Sequence, residues 1–365
     1  MREDIKQRDM ARLAEYRDYL AIHPRLTYLF FELTDACNLS CLHCGSSACP
    51  QNKTYLPLED IKKVLESVAA KYCPSEIMVC LTGGEPLLHR DFFEISATAQ
   101  KLGFPCGMTT NATLITEEVA AKLIPYGICS VTVSLDGLEE THDWFRNVKG
   151  SFSKTVSGIR NLMSATKGTI ATQITTVVHK KNIHELDQIY NFVVSLGVDS
   201  WRVINLEPIG RALDHKDLLL DAVDYKYLLD YIRSKRFNPA VEIDVTYGCS
   251  HYLTSQYERE VRDTYFACGS GVYVGSVLCN GDIYSCLDIE RRPELIQGNI
   301  SLDDFVDVWE NRFVEFRADR SKLSSKCKNC KERQFCRGDS AHTWDYSLQQ
   351  PLLCVKDLID QEGAK

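Results

Sequence analysis

Apolar and polar residues recur along the chain with two periods, one typical of α-helices and one of β-strands. Between residues 4 and 20 the apolar side chains recur near helical spacing among charged ones, which predicts an amphipathic surface helix packed on the main domain. From residue 26 onward, short apolar runs that end in turns are each followed by a segment with helical periodicity. Six such strand–turn–helix units are predicted, with their helices at 58–71, 91–102, from about 116, 152–165, 184–197 and 223–234.

This alternation is typical of an α/β fold with a parallel sheet and right-handed crossovers, either open or closed into a barrel. In both arrangements ligands bind at the carboxyl ends of the strands. The polar segments that follow the strands are therefore the candidates for chemistry: CNLSCLHC, GGEP, TTNA, SLDG and EPIGR. The alternation ends after about Asp244, and SVLCNGDIYSC then predicts a hairpin that turns at Asn280 and Gly281. After Cys354 we expect a short polar helix or a frayed end.

Composition narrows the function classes. The chain has 365 residues, 44% of them apolar and 25% charged, which is typical of a globular protein with more than one domain. A net charge of −8 gives no reason to expect a nucleic acid or an anionic membrane as partner. There is no apolar run of about 18 residues or more, and the amino terminus is charged throughout, so we expect a cytoplasmic protein without a membrane span or signal peptide.

The chain contains 16 cysteines, which in a reducing compartment predict metal ligands or catalytic thiols rather than disulfides. Cys37, Cys41 and Cys44 follow the first strand with the spacing CxxxCxxC. Three thiolates leave one iron of a [4Fe–4S] cluster without a protein ligand, so that iron can bind a substrate or cofactor. The alternatives are a zinc site completed by His43 or Cys49, or cysteines of a packed core.

A second motif follows the second strand. Paired glycines let a ligand approach the backbone, and the carboxylate beside them can accept from an ammonium group. Alone, such a sequence is also compatible with an ordinary turn. The motif is GGEP, formed by Gly83, Gly84, Glu85 and Pro86.

Together, CxxxCxxC after strand one and GGEP after strand two resemble the radical S-adenosylmethionine (radical SAM) superfamily, over about residues 26–245. The resemblance implies a partial (βα)6, TIM-like barrel in which Cys37, Cys41 and Cys44 hold three irons. The amine and carboxylate of S-adenosylmethionine then chelate the fourth iron. Reductive cleavage of this cofactor yields a 5′-deoxyadenosyl radical, which abstracts a hydrogen atom from the substrate.

The same resemblance implies cofactor contacts at further positions. GGEP meets the methionine amine, His43 lies near the adenine, and SLDG contributes ribose and carboxylate contacts through Ser134 and Asp136. Asn111 and Arg146 stand where substrate or cofactor contacts often occur, although each is also compatible with a helix cap or a surface ion pair.

The cysteines near the carboxyl terminus form a second pattern. CX12GX4C from Cys268 to Cys286, then CX2CX5C and a lone cysteine, is similar to the SPASM extension of radical SAM enzymes. The resemblance implies one or two auxiliary [4Fe–4S] clusters, whereas without the upstream motifs a zinc ribbon would be preferred. Cys268 and Cys286 then belong to the cluster nearer the active site, and the other cluster takes Cys327, Cys330, Cys336 and Cys354.

One departure leaves the nearer cluster open. The SPASM pattern continues with a cysteine three residues after Cys336, but this chain has Ser340 there. Cys279 or Cys249 could substitute, as could a serine oxygen or an aspartate (Asp288 or Asp339), or one iron could stay open to substrate. The isolated cysteines are expected to be small buried hydrophobes: Cys73, Cys80, Cys106 and Cys129.

Four segments are expected: a helical segment at 1–25, the radical SAM barrel at 26–245, a small cysteine-rich α+β SPASM domain at 246–356 and a tail at 357–365. The resemblance favours a ribosomal peptide or protein as substrate, modified by crosslinking, epimerisation or side-chain oxidation. Because only about 25 residues precede the first strand, leader capture falls to a separate leader-binding protein or to the barrel, or is absent. A flavodoxin- or ferredoxin-like protein is the expected electron donor, and EPIGR, with Glu207 and Arg211, is expected to face the substrate.

Two alternatives remain. The first is a radical SAM/SPASM enzyme that acts on a small molecule, such as a cofactor precursor or an amino sugar. The second is a non-catalytic iron–sulfur or zinc binding module.

Overall fold

The computed structural model describes residues 3–248 and 250–363 of the chain. Its main feature is a ten-stranded sheet with the order β10-β9-β8-β1-β2-β3-β4-β5-β6-β7. Strands β1 to β7 are parallel neighbours in chain order. They span Tyr28–Glu32 (β1), Met78–Thr82 (β2), Cys106–Thr110 (β3), Ile128–Ser134 (β4), Ala171–Val178 (β5), Ser200–Asn205 (β6) and Asp244–Tyr247 (β7).

The crossover helices lie close to the positions predicted from the periodicity. The helices up to β7 span Glu3–Ile22 (α1), Leu58–Lys71 (α2), Phe92–Lys101 (α3), Glu117–Leu123 (α4), Glu139–Arg146 (α5), Ser151–Thr166 (α6), Leu186–Ser195 (α7) and Ala222–Arg236 (α8). Helix α8 begins with a capping box in which Asp221 and Asp224 satisfy each other's backbone N–H groups. Helix α5 was not predicted. It is a short insertion between β4 and α6, and it ends at Asn147 in the left-handed conformation.

The carboxyl-terminal part extends the same sheet. Strand β8 (Val274–Val277) pairs in parallel with β1, and β9 (Asp282–Tyr284) returns antiparallel to β8, which confirms the predicted hairpin. Gly281 has φ +87°, as this tight turn requires. The rest of this part spans β10 (Gly298–Asn299), β11 (Trp344–Asp345) and β12 (Gln350–Pro351), with helices α9 (Thr254–Tyr257), α10 (Phe305–Asn311), α11 (Val314–Arg317), α12 (Ser325–Lys328), α13 (Arg333–Cys336) and α14 (Val355–Gly363).

The α/β fold class is confirmed, with a parallel sheet followed by a cysteine-rich α+β region. The sheet continues from β1 into β8, so the barrel and the carboxyl-terminal region share hydrogen bonds along β1. Within 355–363 the tail is a helix, with Val355 and Ile359 buried against the main core. No helix among the described residues combines the length and apolarity needed to cross a membrane.

The two faces of the sheet differ in chemistry. One face is buried under the helices and carries apolar side chains such as Val79, Leu81, Val131 and Trp201, each worth about 1.5–3 kcal/mol on burial. The opposite face, here called the inner wall, carries side chains that are mostly only partly buried, among them the apolar Phe30, Met78, Val177 and Ile204 and a larger polar set. The strand registers align them: Thr82, Thr109, Thr132, Ser134, Gln173, Thr175, Ser200, Arg202 and Thr246.

Helix α1 packs on the carboxyl-terminal region, so the expectation that it packs on the main domain is wrong. Arg17 donates to the carbonyl oxygen of Phe335 at 2.6 Å, and Asp18 pairs with Arg337 at 2.8 Å. Met10 is buried in an apolar cluster of the same region. Periodicity reveals that a helix has an apolar face, but it does not reveal which distant surface covers that face.

Candidate active site

The loop after β1 brings three cysteines together. Cys37, Cys41 and Cys44 share one small apolar cluster with Leu39 and Ala48. The backbone N–H of Leu39 donates to Cys37 Sγ at 3.4 Å, an interaction that stabilises a thiolate. Burial raises the pKa of Cys37 to about 12 and also raises the pKa of Cys41, so these thiols need a metal to become thiolates.

A buried arginine stands beside the cysteine loop. Arg146, at the end of α5, donates through Nη1 to Cys41 Sγ at 3.6 Å, and its Nη2 lies 2.6 Å from Asp136 Oδ2. The other carboxylate oxygen of Asp136 accepts from the backbone N–H of Val177 at 2.9 Å. Asp136 therefore holds Arg146 in a position that places positive charge next to the sulfur of Cys41. The alternative of a surface ion pair is wrong, because both side chains are buried.

The glycines of GGEP pack directly against the cysteine loop. The N–H of Gly84 donates to the carbonyl oxygen of Thr34 at 2.7 Å, and that of Glu85 donates to Ala36 at 2.9 Å. A Cβ at Gly84 would lie 2.2 Å from the Ala36 oxygen, and one at Gly83, where φ is +153°, would lie 2.6 Å from the Thr34 oxygen. Only glycine fits this close approach.

The carboxylate of Glu85 points into the protein and joins β2 to β3. Its oxygens accept from Thr110 Oγ1 at 2.7 Å and from the N–H of Asn111 at 2.9 Å. It also caps the short turn that begins at Pro86, by accepting from the N–H of Leu87 at 3.3 Å. Burial raises the pKa of Glu85 to about 7. The side chain thus fixes the ends of β2 and β3.

Asn111 and His43 both border the cysteine loop. Asn111 Nδ2 donates to Asn38 Oδ1 at 2.9 Å and lies 4.0 Å from Cys37 Sγ, so its side chain orders this loop. The ring of His43 stacks on Phe145 with centroids 4.1 Å apart and an interplanar angle of 9°. Burial lowers the pKa of His43, so the ring is neutral and offers a flat surface. Ser134 is partly buried at the carboxyl end of β4.

The loop after β6 packs against the backbone of the cysteine loop. Arg211 Nε donates to the carbonyl oxygen of Cys41 at 2.7 Å, and its Nη1 donates to that of Ala48 at 3.0 Å. Gly210 has φ +52°, and a Cβ there would lie 2.3 Å from the carbonyl oxygen of Cys44. Two donors of the Arg211 guanidinium are therefore used to hold the cysteine loop, and the expectation that EPIGR faces the substrate stays a prediction. The sequence did offer one signal for this contact. Arg211 follows β6 and the cysteine loop follows β1, so both lie at the carboxyl ends of parallel strands.

The distal auxiliary cysteines lie around α12 and α13. Cys330 donates its N–H to the carbonyl oxygen of Cys327 at 3.0 Å. Burial raises the pKa of Cys336, and Asp339 and the thiols of Cys354 and Cys327 raise it further. These thiols therefore lie near one another, although the chain separates them by up to 27 positions, from Cys327 to Cys354.

The nearer auxiliary position is built around Cys268. Cys268 Sγ accepts from the N–H of Ala341 at 3.4 Å. Burial raises the pKa of Tyr346, and Cys268 and Cys286 both raise it further, so both thiols lie on the same side of the protein as this ring. Ser340, next to Ala341, is buried and accepts from the N–H of His251 at 3.4 Å. The position where the SPASM pattern has a cysteine thus lies beside Cys268.

The other candidate ligands of this cluster have different surroundings. Cys279 donates its N–H to Glu32 at 3.2 Å, at the end of β1. Asp288 lies beside Gly45, next to the first cysteine loop. Both carboxylate oxygens of Asp339 are engaged within the protein. Cys249 lies outside the described residues.

One group of charged side chains was not predicted from the sequence. His251 is fully buried between two carboxylates, with Nε2 at 2.9 Å from Glu207 Oε1 and Nδ1 at 2.6 Å from Asp339 Oδ2. Glu207 follows β6, whereas Asp339 belongs to the cysteine-rich region, so the triad joins the barrel to that region. Although burial alone lowers the pKa of His251, the two carboxylates raise it to about 10.

Two of the isolated cysteines contradict their prediction. Cys106 is buried and Cys80 partly buried, but Cys73 and Cys129 are exposed. Cys73 lies in the turn after α2. Cys129 lies near the amino end of β4, at a position that is exposed to solvent.

The donor set fits iron–sulfur clusters. Within residues 3–248 and 250–363, no three His, Cys, Asp or Glu side chains converge on one point as the ligands of a single ion do. A [4Fe–4S] cluster instead binds each thiolate to a different iron. Cys37, Cys41 and Cys44 share one buried site with N–H and guanidinium donors directed at two of the sulfurs. Bound there, a cluster and S-adenosylmethionine would supply the electron and the radical, and these residues would hold and shield them.

Comparisons with known proteins agree with this geometry. The Radical SAM superfamily model matches residues 31–193, and the model of the SPASM iron–sulfur cluster-binding domain matches residues 268–331. An AdoMet-dependent heme synthase of Methanosarcina barkeri is 31% identical over 354 residues, covering 91% of this chain and 96% of the relative. The chain belongs to the radical SAM superfamily. This radical SAM/SPASM protein is an enzyme that uses [4Fe–4S] clusters and S-adenosylmethionine.

Two further proteins extend the comparison for this radical SAM enzyme. Mycofactocin maturase MftC of Mycolicibacterium smegmatis is 31% identical over 317 residues, covering 85% of this chain and 76% of the relative. The solved structure of anSMEcpe with bound AdoMet and the Cp18Cys peptide has a TM-score of 0.71 at 20% identity. It covers 93% of this chain and 95% of that one, and it supports the fold.

Proposed function

We propose that this radical SAM enzyme modifies a ribosomal peptide or protein, by crosslinking, epimerisation or side-chain oxidation. The observation that carries the proposal is the chemistry of the inner wall. Its polar side chains are Thr, Ser and Gln with one arginine, beside the apolar Phe30, Met78, Val177 and Ile204 of the same face. Cross-strand hydrogen bonds such as Gln173 to Ser200 at 3.1 Å keep the polar part ordered.

A polar inner wall suits a peptide better than a flat ring system. An extended peptide exposes a backbone donor and acceptor at each residue, and hydroxyl and amide side chains can serve both. A porphyrin needs a broad apolar surface and a cation for each carboxylate. Within the inner wall, Arg202 is the single cation.

The comparisons support the proposal by analogy. MftC is named as a maturase, and the solved structure of anSMEcpe contains a peptide. In this proposal a separate leader-binding protein presents the peptide, a flavodoxin- or ferredoxin-like protein donates the electron, and the enzyme works in the cytoplasm.

The residues divide into ligands and cofactor contacts. Cys37, Cys41 and Cys44 hold the radical SAM cluster, and the other six family-pattern cysteines hold the auxiliary clusters. The proposed cofactor contacts are the residues of GGEP together with His43, Asn111, Ser134, Asp136 and Arg146. Of these, Arg146 acts through its charge beside Cys41 and His43 through its stacked ring.

The test is co-expression with the short reading frames that flank the gene, followed by mass spectrometry of their products. A mass change in one peptide that requires Cys41, and therefore disappears in Cys41→Ala, supports peptide maturation. The matched control is Cys73→Ala, which removes an exposed thiol and is expected to leave the mass change in place. If the enzyme cleaves S-adenosylmethionine but modifies none of these peptides, the proposal fails.

A small-molecule substrate is the second candidate. It is favoured by the heme synthase relative, which is matched over 96% of its length. Incubating the reduced enzyme with S-adenosylmethionine and a carboxylated porphyrin separates the two candidates. Modification of the porphyrin, with every peptide unchanged, would replace the peptide proposal.

A further inference from the structure

Arg202 is a charged side chain of the inner wall, on β6 next to the edge strand β7. It pairs in register with Thr175 on β5 and with Thr246 on β7, so all three side chains lie on the same face. Its Nε donates to Thr175 Oγ1 at 3.2 Å. This bond fixes the plane of the guanidinium and leaves the two Nη groups available for a ligand.

The charge of Arg202 is not compensated within the described chain. No carboxylate in residues 3–248 or 250–363 forms an ion pair with it. The carboxylate of Glu32, on the same face at the end of β1, is already paired with Arg291 at 2.9 Å. The inner wall therefore presents one unneutralised positive charge to any molecule that enters the barrel.

The guanidinium points into the barrel. Burial raises the pKa of Cys80 to about 12, although the positive charge of Arg202 lowers the pKa of this thiol. Cys80 lies on β2, which β3, β4 and β5 separate from β6. At about 4.8 Å a strand, that path along the sheet is roughly 19 Å. The charge of Arg202 therefore reaches Cys80 through the interior of the barrel, the side on which Arg202, Thr175 and Thr246 lie.

We propose that Arg202 binds a carboxylate that the substrate carries into the barrel. In the same register row, Thr175 also pairs with Ser134, a proposed cofactor contact, so the bound carboxylate would lie about two strands, roughly 10 Å, from that contact. If the carboxylate belongs to a peptide, it is an acidic side chain or the carboxyl terminus, and this part rests on the proposed function. The two Nη groups can receive it as a bidentate pair.

The test measures binding to the cluster-loaded enzyme with S-adenosylmethionine bound, by anaerobic equilibrium dialysis. The probes are an end-blocked pentapeptide with a central glutamate, its glutamine twin, an uncharged pentapeptide with a free carboxyl terminus, and a tetracarboxylate porphyrin. The variants are Arg202→Gln, Arg202→Lys and the control Arg160→Gln, which removes the same charge from an exposed position on α6.

We expect the glutamate peptide to bind the wild type about tenfold or more tightly than its glutamine twin. The preference should disappear in Arg202→Gln, persist in part in Arg202→Lys, and stay unchanged in Arg160→Gln. Dependence on Arg202 for the free carboxyl terminus alone would assign the site to that group.

The remaining outcomes separate this site from the proposed function. If only the porphyrin depends on Arg202, the carboxylate site stands and the peptide proposal fails. If a peptide substrate is found but no carboxylated probe depends on Arg202, the site is overturned and the peptide proposal stands. Loss of S-adenosylmethionine binding in both Arg202 variants would assign the guanidinium to the cofactor and would also overturn the site.

Discussion

Replacing His251 by glutamine tests whether its charge holds the barrel and the cysteine-rich region together. The imidazole is fully buried and contacts Glu207 at 2.9 Å and Asp339 at 2.6 Å. Glutamine roughly keeps the volume of the side chain but removes the cation. Two buried carboxylates then face each other without compensation, and breaking a buried ion pair in this way costs about 3–5 kcal/mol.

The expected result is a lower thermal midpoint for His251→Gln, by about 4–7 °C, measured by anaerobic circular dichroism at matched iron content. A triple variant that also carries Glu207→Gln and Asp339→Asn should regain most of the loss, because no buried charge remains. His184→Gln is the matched control, since His184 is exposed on the barrel surface.

The pH dependence gives a second readout. The pKa of His251 is raised from 6.5 to about 10, so its contribution to stability is complete below about pH 6.5 and is lost as the pH rises towards 10. The pKa values of Glu207 and Asp339 are lowered, so their contribution is lost only as the pH falls below about 4. The triple variant should lose the alkaline decline. An unchanged midpoint in His251→Gln, or a triple variant as unstable as the single one, would refute this reasoning.

Three further changes probe the cluster sites. Arg211→Ala removes two hydrogen bonds to the cysteine loop, so iron content after reconstitution should fall and 5′-deoxyadenosine formation with it; Arg211→Lys should retain part of both. Gly84→Ala places a Cβ 2.2 Å from the Ala36 oxygen, so the enzyme should lose measurable S-adenosylmethionine binding. Cys327→Ala should lower the iron content by about four atoms per chain, whereas Cys106→Ala should leave it unchanged, and equal iron in both would contradict the ligand assignment.

Local signals account for the parts of the fold that were predicted. Apolar residues at strand and helix periods located β1 to β6 and the helices after them, because each of these elements buries one face within its own unit. The two cysteine motifs and GGEP likewise depend on short spacings. The hairpin at Gly281 follows from turn chemistry alone.

The contacts that were not predicted are those between residues far apart in the sequence. Arg211 reaches the cysteine loop from 170 positions away, and His251 meets Asp339 across 88. A single sequence carries no signal for such pairs, because each partner is an ordinary polar residue in its own segment. The surface on which α1 packs was not predicted for the same reason.

The position of α1 has a consequence for synthesis of the enzyme on the ribosome. Arg17 is translated 318 residues before Phe335, the residue whose carbonyl it binds. At about 5–20 residues per second, this interval lasts roughly 15–60 s. For most of that time Met10 lacks the partners that bury it, Tyr252 and Phe266 among them. Helix α1 is thus among the last of the described helices to dock, and a chain that stops short of α13 leaves Met10 and Leu20 of α1 exposed to chaperones and proteases.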